Sequence, residues 1–144
     1  MPYLLDTNIC IHPIQRHLPQ VLQRLAALKQ GEVKMSVVTY AELRAGLEMQ
    51  QHNRDHDEKV LGLLVQRIPV LPFTEAAAEQ SGILRAAVRG RRRDALDRLI
   101  AAHAIAAGTV LVTNSEDDFC DDRHAAAPLA AARQTGVYDA RLSC

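Results

Sequence analysis

Short apolar segments alternate with helical segments along most of the chain. Three runs have the length and character of buried strands: residues 3–6, 33–37 and 110–113. Five segments are predicted to be helices: residues 19–30, 39–49, 53–66, 74–89 and 96–107. Strands that alternate with helices are typical of an α/β domain with a mainly parallel sheet. We therefore expect a three-layer α/β/α sandwich, with residues 68–71 as a short edge strand beside prolines.

Length and composition bound the domain organisation. The chain has 144 residues, of which 48% are hydrophobic and 24% charged, which favours one folded domain and excludes a disordered chain. We expect a single domain over residues 1–144, in which residues 121–144 form an atypical tail with a last strand from residue 137. No apolar run approaches the roughly 20 residues that span a bilayer, and the N-terminus lacks the features of a signal peptide. These features predict a cytoplasmic protein with no membrane contact.

The formal charge is balanced, with 17 Lys and Arg residues against 17 Asp and Glu residues. This balance gives no overall attraction towards nucleic acid. Four arginines are nevertheless clustered around one predicted helix start: Arg91, Arg92, Arg93 and Arg98. A planar guanidinium suits phosphate, but these residues could also form a solvated loop or contact an acidic partner.

The cysteines and His103 are expected to have structural roles. The three cysteines are Cys10, Cys120 and Cys144, which are widely spaced and include no Cys-x-x-Cys pair. We expect buried or idle thiols rather than a disulfide framework or a zinc site. His103 lies on an alanine-rich helix face, which favours a hydrogen-bonded core histidine over a catalytic base.

Four carboxylates are predicted near the carboxyl ends of the strands, where open α/β sheets bind ligands. Asp6 ends the first strand, and an acidic segment that contains Glu116, Asp117 and Asp118 follows the strand at residues 110–113. Glu42 lies on a helical stripe with small neighbours, and Asp97 shares a helix face with apolar residues that point inward. A carboxylate on an inward face needs a partner that offsets its desolvation.

Each acid also has a structural explanation when it is considered alone. Asp6 could cap the next helix, and Thr39 with Glu42 forms a Thr-x-x-Glu capping box. Asp97 suits a first helical turn, and residues 116–118 could be a solvated acidic run. Four carboxylates at one edge, however, repel one another unless a cation binds between them. Mg²⁺ prefers carboxylates and water, and it activates water and phosphoryl oxygens, so the pattern predicts phosphodiester hydrolysis.

Several motifs occur in a characteristic order: LLDTN at residues 4–8, SVVT at 36–39, ELRAG at 42–46, DRLIAAHA at 97–104, LVTN at 111–114 and Asp118-Phe119. Together they resemble the PIN-domain ribonucleases and, more narrowly, the VapC toxins of bacterial toxin–antitoxin pairs. The similarity runs from residue 3 to about residue 119. It implies an endoribonuclease that depends on Mg²⁺ or Mn²⁺ and has the fold of a small α/β/α sandwich.

The resemblance also implies roles for single residues. Four acids match the metal-binding acids of the family: Asp6, Glu42, Asp97 and Asp118, with Asp117 as the alternative to the last. Asp6 and Asp97 would hold the principal ion, with the other two acids contributing through water or a second ion. Asn8 and Asn114 match polar residues that orient the acids or the attacking water, and we assign Thr7 to the same role.

Partners follow from the same resemblance. VapC toxins usually form homodimers, are neutralised by a small VapB-type antitoxin that inserts into the acidic groove, and cleave structured RNA, often tRNA. The clustered arginines would then grip RNA phosphates beside the groove. The chain departs from the family after Phe119, where Cys-Asp-Asp-Arg-His stands in place of the usual Pro-Gly-Leu.

Two other classes of function are compatible with parts of the pattern. A haloacid-dehalogenase-like phosphatase also has an Asp after its first strand, but it needs a second Asp two positions later, where this chain has Asn8. A catalytically silent PIN-fold module would capture RNA or a partner protein without turnover. Such a module would bind equally well with Mg²⁺ and with a chelator.

Overall fold

A computed structural model describes residues 2–7, 10, 29–87 and 95–112. The strands in these ranges are β1 (Tyr3–Leu5), β2 (Val33–Ser36), β3 (Val70–Leu71) and β4 (Val110–Val112). The helices are α1 (Val37–Met49), α2 (Arg54–Arg67), α3 (Glu75–Ala87) and α4 (Ala95–Ala106). Most of the predicted helix at residues 19–30 and all of the tail at residues 121–144 lie outside the described ranges.

The four strands form one parallel sheet in the order β3-β2-β1-β4. Leu4 of β1 lies between Lys34 of β2 and Leu111 of β4, and Met35 of β2 pairs with Val70 of β3. Parallel neighbours need crossover connections, and α1 and α2 provide the one between β2 and β3. The predicted parallel sheet is confirmed, and β3 is the edge strand expected at residues 68–71.

Apolar side chains pack on both faces of the sheet, which produces three layers. Successive strand residues point to opposite faces, so Leu5 and Leu4 belong to different apolar clusters. On the Leu5 face, α1 and α2 contribute Leu43 and Leu61. On the Leu4 face, α3 and α4 cover the sheet, and Ile100 is fully buried. The predicted α/β/α sandwich is therefore confirmed.

Polar caps and glycine set the ends of the helices. Ser36 is the N-cap of α1, and its hydroxyl accepts a hydrogen bond from the Val38 N–H at 3.1 Å. The helix therefore begins at Val37, two residues before the start predicted from the pattern. Gly108 adopts a φ of 63° in the turn between α4 and β4, where a helix stop was predicted. None of the helices in the described ranges is long and apolar enough to cross a bilayer.

Candidate metal-binding and catalytic site

Asp6 follows β1 directly and lies at the carboxyl edge of the sheet. Its backbone N–H donates to the carbonyl of Val112, the last residue of β4, at 3.0 Å. Asp6 is only 1% exposed, so its carboxylate has lost most of its hydration. A buried carboxylate keeps its charge only when polar groups or cations compensate for that loss. Asp6 thus lies where open α/β sheets bind ligands, and its role as a metal ligand stays a prediction.

Glu42 is joined to the same edge by a hydrogen bond. The Thr7 hydroxyl donates to Oε2 of Glu42, although the two residues are 35 positions apart. The Thr39 hydroxyl donates to the carbonyl of Leu5 at 3.4 Å, so α1 is attached to the end of β1 at two points. Because Ser36 caps the helix, the Thr39–Glu42 capping box considered from the sequence is wrong.

Asp97 lies in the first turn of α4 and is half-buried. Its helix face also carries Ile100, Ala101 and Ala104, which are fully buried, so the predicted inward-facing stripe is confirmed. A short turn leads from α4 into β4, which begins at the amino edge of the parallel sheet. The first turn of α4 therefore lies towards the carboxyl edge. Arg98, predicted to contact RNA, is half-buried in the same turn.

The three acids supply the hard oxygen donors that Mg²⁺ and Mn²⁺ prefer. The burial of Asp6 adds to this fit, because a divalent cation would offset the desolvation of its carboxylate. Among the described residues, however, no three Asp, Glu, His or Cys side chains form a group that could hold a metal ion. Other predicted site residues lie outside the described ranges: Asn8, Arg91, Arg92, Arg93, Asn114 and Asp118. The complete ligand set therefore stays a prediction.

His103 is a buried histidine of α4 with polar partners inside the protein. Its Nδ1 lies 2.7 Å from Oγ of Ser36, and its ring meets Phe73 edge-on with the centroids 5.4 Å apart. Burial lowers the pKa of His103 below its ordinary value of 6.5, and a hydrogen bond to the backbone of Pro72 partly opposes that shift. The predicted core histidine is confirmed.

Ser36 is a polar residue to which sequence reasoning assigned no role. It is fully buried, caps α1 and contacts His103. Serine is a favoured N-cap residue, so a helix start at Ser36, three residues before the predicted one, could have been found. Nothing local in the sequence indicates the contact with His103.

Cys10 is a core residue and not a reactive one. Burial raises the pKa of its thiol, and the negative charge of Asp6 raises this pKa further. A neutral thiol in apolar surroundings is a poor nucleophile. The predicted idle thiol is confirmed for Cys10, while Cys120 and Cys144 lie outside the described ranges.

Comparisons with known proteins connect this geometry to a family. The family model described as PIN domain matches residues 3–123. The tRNA(fMet)-specific endonuclease VapC of Shigella flexneri is 38% identical over 121 residues, which are 83% of this chain and 90% of that relative. Ribonuclease VapC2 of Rickettsia felis is 32% identical over 122 residues, with the same coverage of both chains.

A solved structure is similar to this chain in both fold and sequence. The DNA-bound VapBC structure from Salmonella typhimurium has a TM-score of 0.74 and 30% sequence identity, and the match covers 83% of this chain and 90% of that chain. The span matched by the family model contains all four predicted acids, from Asp6 to Asp118. The chain therefore belongs to the PIN-domain family and, within it, to the VapC ribonucleases.

Proposed function

We propose that this chain is the endoribonuclease toxin of a type II toxin–antitoxin pair and hydrolyses RNA with the help of Mg²⁺ or Mn²⁺. The observation that carries the proposal is the hydrogen bond from Thr7 to Glu42. It holds the carboxylate of Glu42 beside Thr7, which is the residue next to the buried Asp6. Relatives that are 38% and 32% identical are named as an endonuclease and a ribonuclease, which supports the same activity.

Asp6 and Asp97 would hold the principal ion, and Glu42 and Asp118 would contribute through water or a second ion. The carboxylate donor set and the burial of Asp6 support this assignment. A divalent ion in such a site lowers the pKa of water and neutralises charge on phosphoryl oxygens. No serine or histidine nucleophile is needed for this reaction.

Thr7 acts as a positioning residue for Glu42. A hydroxyl that donates to a carboxylate favours the ionised form and restricts its orientation. The side chain of Glu42 is thereby kept at the end of β1, although its own backbone belongs to α1. Asn8 and Asn114 orient the acids or the attacking water in the same manner.

The substrate is structured RNA, with tRNA as the expected class. The Shigella flexneri relative is named for its specificity towards tRNA(fMet), which supports this choice. Arg98 and its neighbours Arg91, Arg92 and Arg93 bind phosphates, which offsets the repulsion between RNA and the acids. The few aromatic residues, three Tyr and two Phe, favour recognition of RNA shape and backbone over base stacking.

A VapB-type antitoxin is the expected protein partner, and the toxin is expected to be a homodimer. Structural neighbours from Salmonella typhimurium and nontypeable Haemophilus influenzae are VapBC structures, which supports the antitoxin. A segment of such a partner would cover the acidic groove and exclude RNA. Inhibition by the antitoxin would therefore compete with substrate.

The test is cleavage of total bacterial RNA with Mg²⁺, with chelator, and with Mg²⁺ restored, followed by mapping of new 5′ ends. We expect cuts in tRNA that chelator abolishes and Mg²⁺ restores. The Asp97→Asn variant should lose cleavage while it stays folded. Glu79→Gln, which changes an exposed acid on α3, is the matched control and should cut normally.

Two results would contradict the proposal in different ways. Cleavage by Asp97→Asn at the wild-type rate would show that Asp97 is not part of the catalytic site. Binding of RNA without turnover, equal in Mg²⁺ and chelator, would instead favour the silent binding module.

A further inference from the structure

One buried hydrogen bond joins the two helices that carry Glu42 and Asp97. His103 in α4 and Ser36 at the start of α1 are both buried, and Nδ1 of the ring lies 2.7 Å from the serine Oγ. Glu42 follows Ser36 by six residues, and Asp97 precedes His103 by six. At 1.5 Å per residue, each acid lies about 9 Å along its helix from this bond. The bond is therefore well placed to set the spacing of the two acids.

The hydrogen bond of the ring to Pro72 favours one arrangement of the bond to Ser36. The Ser36 hydroxyl has one proton to donate, and its oxygen also accepts the Val38 N–H at 3.1 Å. The ring also makes a hydrogen bond to the backbone of Pro72, which has no N–H and can only accept. A neutral imidazole has one donor and one acceptor nitrogen. Both nitrogens form a hydrogen bond when the ring donates to the carbonyl of Pro72 and accepts at Nδ1 from Ser36.

Packing holds the ring in that arrangement. Phe73 lies against it edge-on, with an angle of 77° between the ring planes. The neighbours of His103 on α4, Ala102 and Ala104, are small and fully buried, so an apolar side chain would satisfy this position with less desolvation. Packing alone therefore does not explain a histidine at this position.

We propose that His103 is a positioning residue of the metal site, because its hydrogen bond to Ser36 sets the separation of Glu42 and Asp97. This inference rests on the proposed function, since it concerns the same acids. Mg²⁺ requires near-ideal octahedral geometry, so a small displacement of α4 relative to α1 weakens its binding. Replacement of a residue that orients the metal ligands without binding the metal typically changes metal affinity or activity about 10- to 100-fold.

Three variants separate this role from a packing role. His103→Leu removes the hydrogen bond, His103→Asn keeps an amide near the position of Nδ1, and Ser36→Ala removes the other partner. Mn²⁺ affinity is measured by calorimetry without RNA, and the Mg²⁺ dependence of cleavage is measured in parallel. Circular dichroism defines conditions in which each variant is folded.

We expect His103→Leu and Ser36→Ala to bind Mn²⁺ at least about tenfold more weakly and to need correspondingly more Mg²⁺ for cleavage. His103→Asn should recover most of the lost affinity. The double variant Ser36→Ala/His103→Leu should be little worse than either single variant, because both remove the same bond. Imidazole nitrogen NMR shifts of the wild type should show a neutral ring that is protonated on Nε2.

The possible failures are distinguishable. Folded His103→Leu with wild-type Mn²⁺ affinity would overturn the positioning role and leave the proposed function intact. Wild-type protein that neither binds Mn²⁺ nor cuts RNA would overturn the proposed function instead. Should both loss variants fail to fold, a wild-type ring protonated on Nδ1 would still refute the arrangement from which the positioning role is argued.

Discussion

The hydroxyl of Thr7 donates a hydrogen bond to the carboxylate of Glu42 and joins the residue after Asp6 to the second turn of α1. A second contact, from the Thr39 hydroxyl to the Leu5 carbonyl, attaches the same helix to the same strand end. Polar contacts as well as apolar packing therefore set the position of α1 relative to β1.

Replacement of Thr7 by valine should reduce metal-dependent cleavage without unfolding the protein. Valine has nearly the volume of threonine but cannot donate, and a hydrogen bond to a charged group is worth about 1.5–3 kcal/mol. We expect the cleavage rate to fall about tenfold or more, which initial rates over a Mg²⁺ series will measure. Thr7→Ser, which keeps the hydroxyl, is the control. Equal rates for Thr7→Val and the wild type would show that this bond does not matter for catalysis.

Acidic pH should destabilise the protein through His103. The folded state lowers the pKa of this histidine below 6.5, so the unfolded chain binds a proton that the folded chain excludes. Well above pH 6.5 both states are neutral at this residue and it has no effect on stability. As the pH falls below that value, stability decreases until the folded histidine is also protonated.

Melting temperatures of the wild type and His103→Asn between about pH 7.5 and 5.5 test this prediction. The chain has six histidines, so the informative quantity is the difference between the two proteins. The wild type should lose more stability than the variant as the pH falls. Parallel pH profiles would contradict the assignment.

Two neighbouring leucines of α2 should differ strongly in their contribution to stability. Leu61 is 2% exposed and belongs to the core, whereas Leu63 is 64% exposed. Leu61→Ala should lower the free energy of unfolding by about 2–5 kcal/mol because it removes buried contacts and leaves a cavity. Leu63→Ala should change it by about 0.5 kcal/mol or less. Urea unfolding measures both values, and similar losses would contradict the packing of α2.

Salt should weaken the charged network between α1 and α2. Arg54 lies 2.6 Å from Glu48 and 3.2 Å from Glu58, and Arg44 contacts both acids. The hydrogen bond from Arg44 lowers the pKa of Glu58, although all four side chains lie at the surface. Surface ion pairs are screened by salt, so their contribution to stability is small.

Glu58→Gln should therefore lower the melting temperature slightly at low ionic strength, and about 1 M salt should remove most of the difference. Glu79→Gln, an exposed acid outside the network, is the comparison. A loss that persists unchanged in high salt would indicate that Glu58 acts by packing and not by charge.

Local patterns predicted the position of most described elements. The helix expected at residues 53–66 is Arg54–Arg67, and the strand expected at residues 110–113 is Val110–Val112. The helix carries a clear apolar period, and the strand is a continuous run of buried apolar residues. The observed start of α1 differs from the predicted start because Ser36 and Thr39 can both cap a helix. The buried contact with His103 favours Ser36 as the cap.

The sequence by itself determined the parallel α/β sandwich, the PIN-domain family and the four acids to be tested, because apolar periodicity and ordered motifs are properties of the linear chain. The tertiary structure decided which side chains meet. Thr7 contacts Glu42 across 35 positions, and Ser36 contacts His103 across 67. A hydrogen bond between two elements depends on how those elements pack, and the period of neither element contains that information. For this reason Glu42 and Thr7 were both assigned from motifs, but the bond between them and the contact between Ser36 and His103 were recognised only in the folded chain.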